Sequence, residues 1–377
     1  MRYDAIVAGL GGMGGAIAAH ASAGGLRVLG LDRFPRGHDL GASSGGARMI
    51  RRAYFERPAY VPRVERAYEL WHDLETRTGA QLLFPCGVLL AGHPDSAILA
   101  GALESAARHG VPIERLDAAD IARRFAAFRP RADEAGVFEP GAGFLIAERA
   151  TAAHLAMAEA HGADLRFECA VAGWEASDAG VRVRVASGET FEAGKLALAF
   201  GPWFDGFAND LGVELRIQRN VQCLFDAAEP RFAPGAMPGF LVDRAEYPAP
   251  LYGFPNFGAG LKAAFHGFGA TTRADELDRF LSAADAEPLR EHLDAWVPGA
   301  ASHAAGGKVC MYALTPDEDF AIGAHPDLPN VVVAGGFSGH GFKFASVVGE
   351  IGADLLINGA THHDIAFLSP SRFAAAR

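Results

Sequence analysis

The chain opens with a short unbroken apolar run, Ala5-Ile6-Val7-Ala8, and a run of that length closed by glycine predicts a strand buried on both faces. Gly9-Leu10-Gly11-Gly12-Met13-Gly14 then reads as a turn, and the small helix-forming stretch Ala16 to Ala23 stops at Gly24-Gly25. Arg27 to Leu31 is a second strand, ending on Asp32. The same pattern returns late in the chain. Asn330-Val331-Val332-Val333-Ala334 runs into a glycine loop, Gly335 to Gly341, and then into a helix from Ala345 to Ile357. Between these units, Phe167 to Val171 and Leu196 to Phe200 read as strands, the second closing on Gly201-Pro202-Trp203. Leu261 to His266 alternates imperfectly as another.

A lone GxGxxG is weak, but here it sits between a strand and a helix with an acidic residue ending the next strand. Gly9 suits the tight turn, Gly11 the close approach of backbone to a pyrophosphate, and Gly14 the packing of helix on strand, while the helix N-terminus faces the phosphates. Asp32 is placed to accept from a ribose hydroxyl. FAD and NAD share this fingerprint. The hydroxyl-rich loop Gly41-Ala42-Ser43-Ser44-Gly45-Gly46-Ala47-Arg48 and the late glycine loop, which carries His340 and Lys343, favour FAD, because backbone N–H groups and a helix N-terminus suit the anion of a reduced flavin.

Composition narrows the class. In 377 residues, 50% are hydrophobic and 21% charged, which describes an ordinary soluble protein large enough for two domains. A net charge of −11 disfavours nucleic acid and anionic membrane surfaces as partners. Cysteines 86, 169, 223 and 310 contain no CxxC pair, so neither a metal site nor a disulfide framework is expected, and a reducing cytoplasm is the simplest setting. No apolar run reaches the ~18 residues needed to span a bilayer.

Six segments carry a resemblance over almost the whole chain: Arg48-Met49-Ile50-Arg51, Tyr60-Val61-Pro62, Tyr252-Gly253-Phe254-Pro255, Gly260-Leu261-Lys262, Cys310-Met311-Tyr312 through Thr315-Pro316-Asp317-Glu318, and Gly336 to Lys343. The chain resembles the monomeric sarcosine oxidases and N-methyltryptophan oxidases, which carry FAD covalently on cysteine. The resemblance implies that Cys310 holds the flavin 8α carbon and that Arg51 and Lys343 bind the substrate carboxylate. It implies that Lys262 acts where oxygen is activated, that Arg48 lies close to the ring, and that Tyr252, His266 and Tyr312 shape the substrate cavity. Gly9, Gly11, Gly12, Met13, Gly14, Asp32 and Arg33 are expected to contact the cofactor, as are Ser43, Ser44, Val171, Gly201 and Trp203. Met311, Gly339, Gly341, Phe342 and Lys343 complete that set. Without the resemblance, the arginines at 48, 51 and 52 read equally as a solvated basic face, and Lys262 as an outward strand position.

The implied reaction is hydride transfer from the carbon next to a secondary amine nitrogen to flavin N5, with hydrolysis of the imine and reduction of O2 to hydrogen peroxide. The expected fold is α/β overall. A Rossmann-like FAD-binding domain (1–85, 146–214 and 316–377) is interleaved with a substrate domain on a mixed, largely antiparallel sheet (86–145 and 215–315), in a monomer. Ser44, Ala47, Arg52 and Phe55 depart from the sarcosine oxidase pattern, which has histidine, threonine, histidine and glycine there. The amine therefore stays open among sarcosine-like acids, iminodiacetate (with Arg52 as an extra cation), N-methyltryptophan and pipecolate-like cyclic imino acids. A flavin dehydrogenase or desaturase that does not use O2, and a non-catalytic dinucleotide sensor, are the other readings.

Overall fold

The computed structural model describes residues 3–204, 211 and 213–376. Its first sheet has eight strands. Tyr3–Ala8 lies at the centre, parallel to Val28–Leu31 on one side and to Thr190–Leu198 on the other. Asp164–Arg166 extends it beyond Val28–Leu31, and Val331–Gly335 pairs in parallel with Leu196–Leu198, so the two glycine-loop units predicted from sequence share one sheet. Ala5 to Ala8 and Val331–Gly335 are buried because helices cover the sheet. Eight of the twelve residues of helix Gly12–Ala23 are Gly or Ala, and that small surface lets it pack tightly against helix Ala345–Asn358. A Cβ at Gly349 would stand 2.8 Å from Ala16, and one at Gly352 2.7 Å from Ile17.

The second sheet has nine strands, all within residues 88–139 and 216–314. Every pairing in it is antiparallel except Gly239–Asp243 with Val88–Gly92. Its longest ladder joins Arg216–Phe225 to Ala304–Leu314 and sets Cys310 opposite Asn220. A small third sheet, of Ala47–Ile50, Gly143–Ile146 and Leu83–Pro85, stands between the two large ones in sequence and carries the arginine segment. Helix Val61–Thr78 starts with Pro62 in its first turn and ends at Gly79 (φ +69°). Its apolar face buries Val64, Ala67, Trp71 and Leu74, and Trp71 Nε1 donates to the Lys343 carbonyl at 2.9 Å. The core thus reaches directly into the late glycine loop.

One expected strand is absent. Phe167 to Ala170 is a turn between the strands Asp164–Arg166 and Val171–Ser177. Glu168 takes a left-handed φ of +54°, while its N–H and that of Cys169 bond to the carbonyls of Phe34 and Asp32. Those two donors are tied to the loop after Asp32, so they are lost to a strand ladder. No helix among the described residues is long and apolar enough to cross a membrane.

Candidate active site

A cavity of about 680 Å³ runs from the first glycine turn to Lys343. At one end, Gly9 holds a φ of +95°, and a Cβ there would meet the Ala199 carbonyl oxygen at 2.3 Å. Gly14 lies behind the wall, where a Cβ would come within 1.7 Å of the Gly9 carbonyl oxygen. Gly11 precedes the helix and has no side chain to cap it, so the first-turn N–H groups are left for a ligand; Ser43 Oγ takes only that of Gly12, at 3.0 Å. The Asp32 carboxylate accepts from Leu10 N at 2.7 Å and Phe34 N at 2.9 Å, which fixes both loops around the cavity. Arg33 lies against the Trp203 ring and pairs with Asp275, and these residues line the wall together with Met13, Val171 and Gly201.

In the middle of the cavity, Cys310 is buried beside the loop 42–48. Its Sγ lies 3.8 Å from the Ala42 carbonyl and 4.0 Å from Arg48 Nη2. Arg48 is held by the carbonyls of Ser44, Gly45 and Ala47, and Met311 lines the same cavity. Ser44 faces away from the cavity and donates to the Asp39 carbonyl at 2.9 Å. Lys262 also stands behind the wall, buried, with Nζ 2.7 Å from the Gly45 carbonyl and 2.8 Å from that of Ala47. Burial and then the Arg48 charge hold its ammonium well below the usual lysine range. Lys262 is therefore neither an outward strand position nor a lining residue: it pins the loop that packs on Cys310.

The far end gathers charge. Arg51 is buried, donates to the Ala53 carbonyl at 2.8 Å and pairs with Glu56 at 2.6 Å, with its guanidinium between the rings of Tyr54 and Phe55. Burial raises the Glu56 carboxyl, but the Arg51, His340 and Lys343 charges outweigh it and bring it down to about 2. Lys343 Nζ donates to the His340 carbonyl at 2.6 Å and reaches Tyr54 Oη at 3.4 Å; burial brings it down to about 7. Tyr312 Oη lies 3.4 Å from His266 Nδ1, and the Tyr252 ring stands edge-on to His266. Burial lowers His266 to about 4 and raises both phenols. Gly339 (φ +77°) lets the late loop lie on Tyr312, where a Cβ would be 2.3 Å from the ring, while Gly341 and Phe342 close the wall.

Residues 4–355 match the family described as FAD dependent oxidoreductase. The chain belongs to that family. It is 42% identical to a monomeric sarcosine oxidase from Streptomyces avermitilis, covering 99% of this chain and 98% of that one. It is 33% identical to an N-methyl-L-tryptophan oxidase from Citrobacter koseri, covering 99% and 100%. Among solved structures it superposes on NikD, described as an unusual amino acid oxidase essential for nikkomycin biosynthesis, with a TM-score of 0.87 at 26% identity, covering 98% and 97%.

The cavity of this oxidoreductase fits FAD. Gln222 Oε1 and Thr151 Oγ1 are buried on its wall with no hydrogen-bond partner among the described residues, and the helix N-terminus offers uncapped donors. Arg52, expected as an additional cation for a second carboxylate, is turned away. It pairs with Glu65 at 2.8 Å, lies over the Tyr68 ring and lines no part of the cavity. Two carboxylates were not anticipated from sequence. Glu56 neutralises Arg51, and buried Glu139 accepts from the backbone N–H groups of Arg52 and Ala53 at 2.9 and 2.8 Å, fixing the turn after Arg51. Glu139 is 87 residues from Arg52 and gives no local signal; Glu56, five residues after Arg51, was within reach of a charge-pair search.

Proposed function

We propose that this flavoprotein amine oxidase acts on a small N-methyl amino acid of the sarcosine type, with the substrate carboxylate held between Arg51 and Lys343. The observation that carries the reading is the meeting of these two buried cations in one cavity with Cys310 and the glycine turn. FAD, when bound, supplies a two-electron acceptor whose reduced form returns the electrons to O2. The protein supplies orientation and charge. Guanidinium and ammonium donors converge on the carboxylate, which takes over the hydrogen bond that Arg51 makes to Glu56. Tyr252, Tyr312, Phe55 and Phe337 form an aromatic wall that excludes water from the reacting carbon. His266 stays neutral at pH 7, so a neutral amine binds beside it without a charged neighbour. Covalent attachment through Cys310 belongs to this proposal, supported by the thiol's burial on the cavity wall next to Arg48.

A single carboxylate site favours a monocarboxylic substrate, because Arg52 is committed to Glu65. The strands of the two large sheets support a division into FAD-binding and substrate domains, and we extend the reading to a cytoplasmic monomer. The reaction R–NH–CH3 + O2 + H2O → R–NH2 + CH2O + H2O2 sets the test: oxygen uptake, peroxide and formaldehyde in equal amounts. Dye reduction without oxygen uptake would assign the chain to the dehydrogenase reading.

A further inference from the structure

Hydrogen-bond directions around Lys343 are fixed by one backbone carbonyl. The Glu318 oxygen can only accept, so His340 donates to it from Nε2 across 3.1 Å, which leaves Nδ1 as an acceptor. The Tyr54 hydroxyl, 2.5 Å from that nitrogen, therefore gives its single proton to His340. Its oxygen is left facing Lys343 Nζ at 3.4 Å as an acceptor. A second ammonium proton goes to the His340 carbonyl at 2.6 Å, which leaves one for the cavity. Burial brings His340 down to about 3, so its Nδ1 stays an acceptor throughout the neutral range.

The Tyr54 ring serves both cations. Its centroid is 4.7 Å from the Arg51 guanidinium carbon and 5.0 Å from Lys343 Nζ. The residue itself is fully buried and cannot swing. Ser105 Oγ donates to its carbonyl, and helix Ala97–His109 presents Gly101 to the next residue, where a Cβ would stand 2.4 Å from the Phe55 oxygen.

We propose that Tyr54 is a positioning residue for the substrate carboxylate: its ring seats Arg51, and its hydroxyl, oriented by His340, aims the remaining Lys343 proton at the same anion. The inference rests on the reading that Arg51 and Lys343 receive that carboxylate. The experiment compares flavin-loaded wild type, Tyr54→Phe, Lys343→Met and the double variant on an N-methyl amino acid and on its carboxamide. Tyr54→Phe keeps the ring and removes only the hydroxyl. It is expected to raise KM for the acid about tenfold, to change kcat less than about twofold, and to leave KM for the amide alone. In the Lys343→Met background it adds nothing further for the acid, because the hydroxyl acts through that ammonium. If Tyr54→Phe changes both substrates equally, or neither, while Lys343→Met still separates acid from amide, the positioning role is overturned and the carboxylate site stands. If Lys343→Met does not separate them, both readings fall. Should Tyr54→Phe not accumulate as flavin-loaded protein, His340→Phe, which keeps a ring and removes the Nδ1 acceptor, makes the same comparison with the same expected split.

Discussion

Replacing Lys343 by methionine separates the cost of a buried ammonium from its use. Burial lowers this group from 10.5 to about 7, and a shift of that size corresponds to ~5 kcal/mol. The sign follows from proton counts. Between pH 7 and 10.5 the unfolded chain holds a proton that the folded chain has lost, so stability attributable to Lys343 rises with pH across that window and is lowest below it. Methionine has no charge to desolvate, but it forfeits the hydrogen bond to the His340 carbonyl, about 1 kcal/mol. The variant is therefore expected to be more stable than wild type at pH 6, by about 2–4 kcal/mol after that loss, and the difference should shrink towards pH 10. Function moves the other way. Loss of a charge-assisted contact of about 1.5–3 kcal/mol raises KM for a carboxylate substrate about 10- to 100-fold. In wild type, KM should rise as pH passes 7, since the anion needs the ammonium, and it should be flatter in the variant. Urea unfolding of the flavin-loaded proteins at pH 6 and pH 10, with KM measured across pH 6–9, checks both arms. A stability difference that is the same at both pH values, or an unchanged KM, would refute the reasoning.

Three further outcomes are expected. Cys310→Ala should release its flavin into the supernatant on acid precipitation; flavin that stays in the pellet places the linkage elsewhere. Lys262→Met should slow reoxidation of reduced enzyme by O2 far more than anaerobic reduction by substrate, as stopped-flow absorbance would show, and an equal loss in both half-reactions would leave Lys262 only its grip on the Gly45 and Ala47 carbonyls. Gly14→Ala puts a Cβ 1.7 Å from a backbone oxygen that cannot yield cheaply, so the variant should purify without flavin or fail to accumulate, and a normally loaded variant would contradict the packing.

Much of the architecture was readable in the chain because it is written locally. The turn Gly9–Gly14, Asp32 and the late loop Gly335–Gly341 each carry their requirement in a few consecutive residues, and the residue types allow few other backbones. The turn at Phe167–Ala170 was not readable, because its N–H groups pair with a loop more than 130 residues earlier. Arg51 and Arg52 are adjacent and look alike in sequence. The first is turned to the cavity and the second to Glu65 because Glu139, on a strand of the other sheet, clamps the backbone that follows Arg51. Tyr54 carries no local signal for a similar reason: its importance comes from His340, 286 residues away. Sequence resolves the pieces that hold a cofactor better than the polar network that aims a substrate.

The central claim is most directly tested by the absorbance spectrum of the purified protein before and after acid precipitation, followed by anaerobic addition of N-methyl, N-carboxymethyl and cyclic amino acids. The account predicts yellow colour that stays with the pellet and, in the native protein, bleaches on adding an N-methyl monocarboxylic acid. A colourless protein, or a flavin that none of these amines reduces, would contradict it.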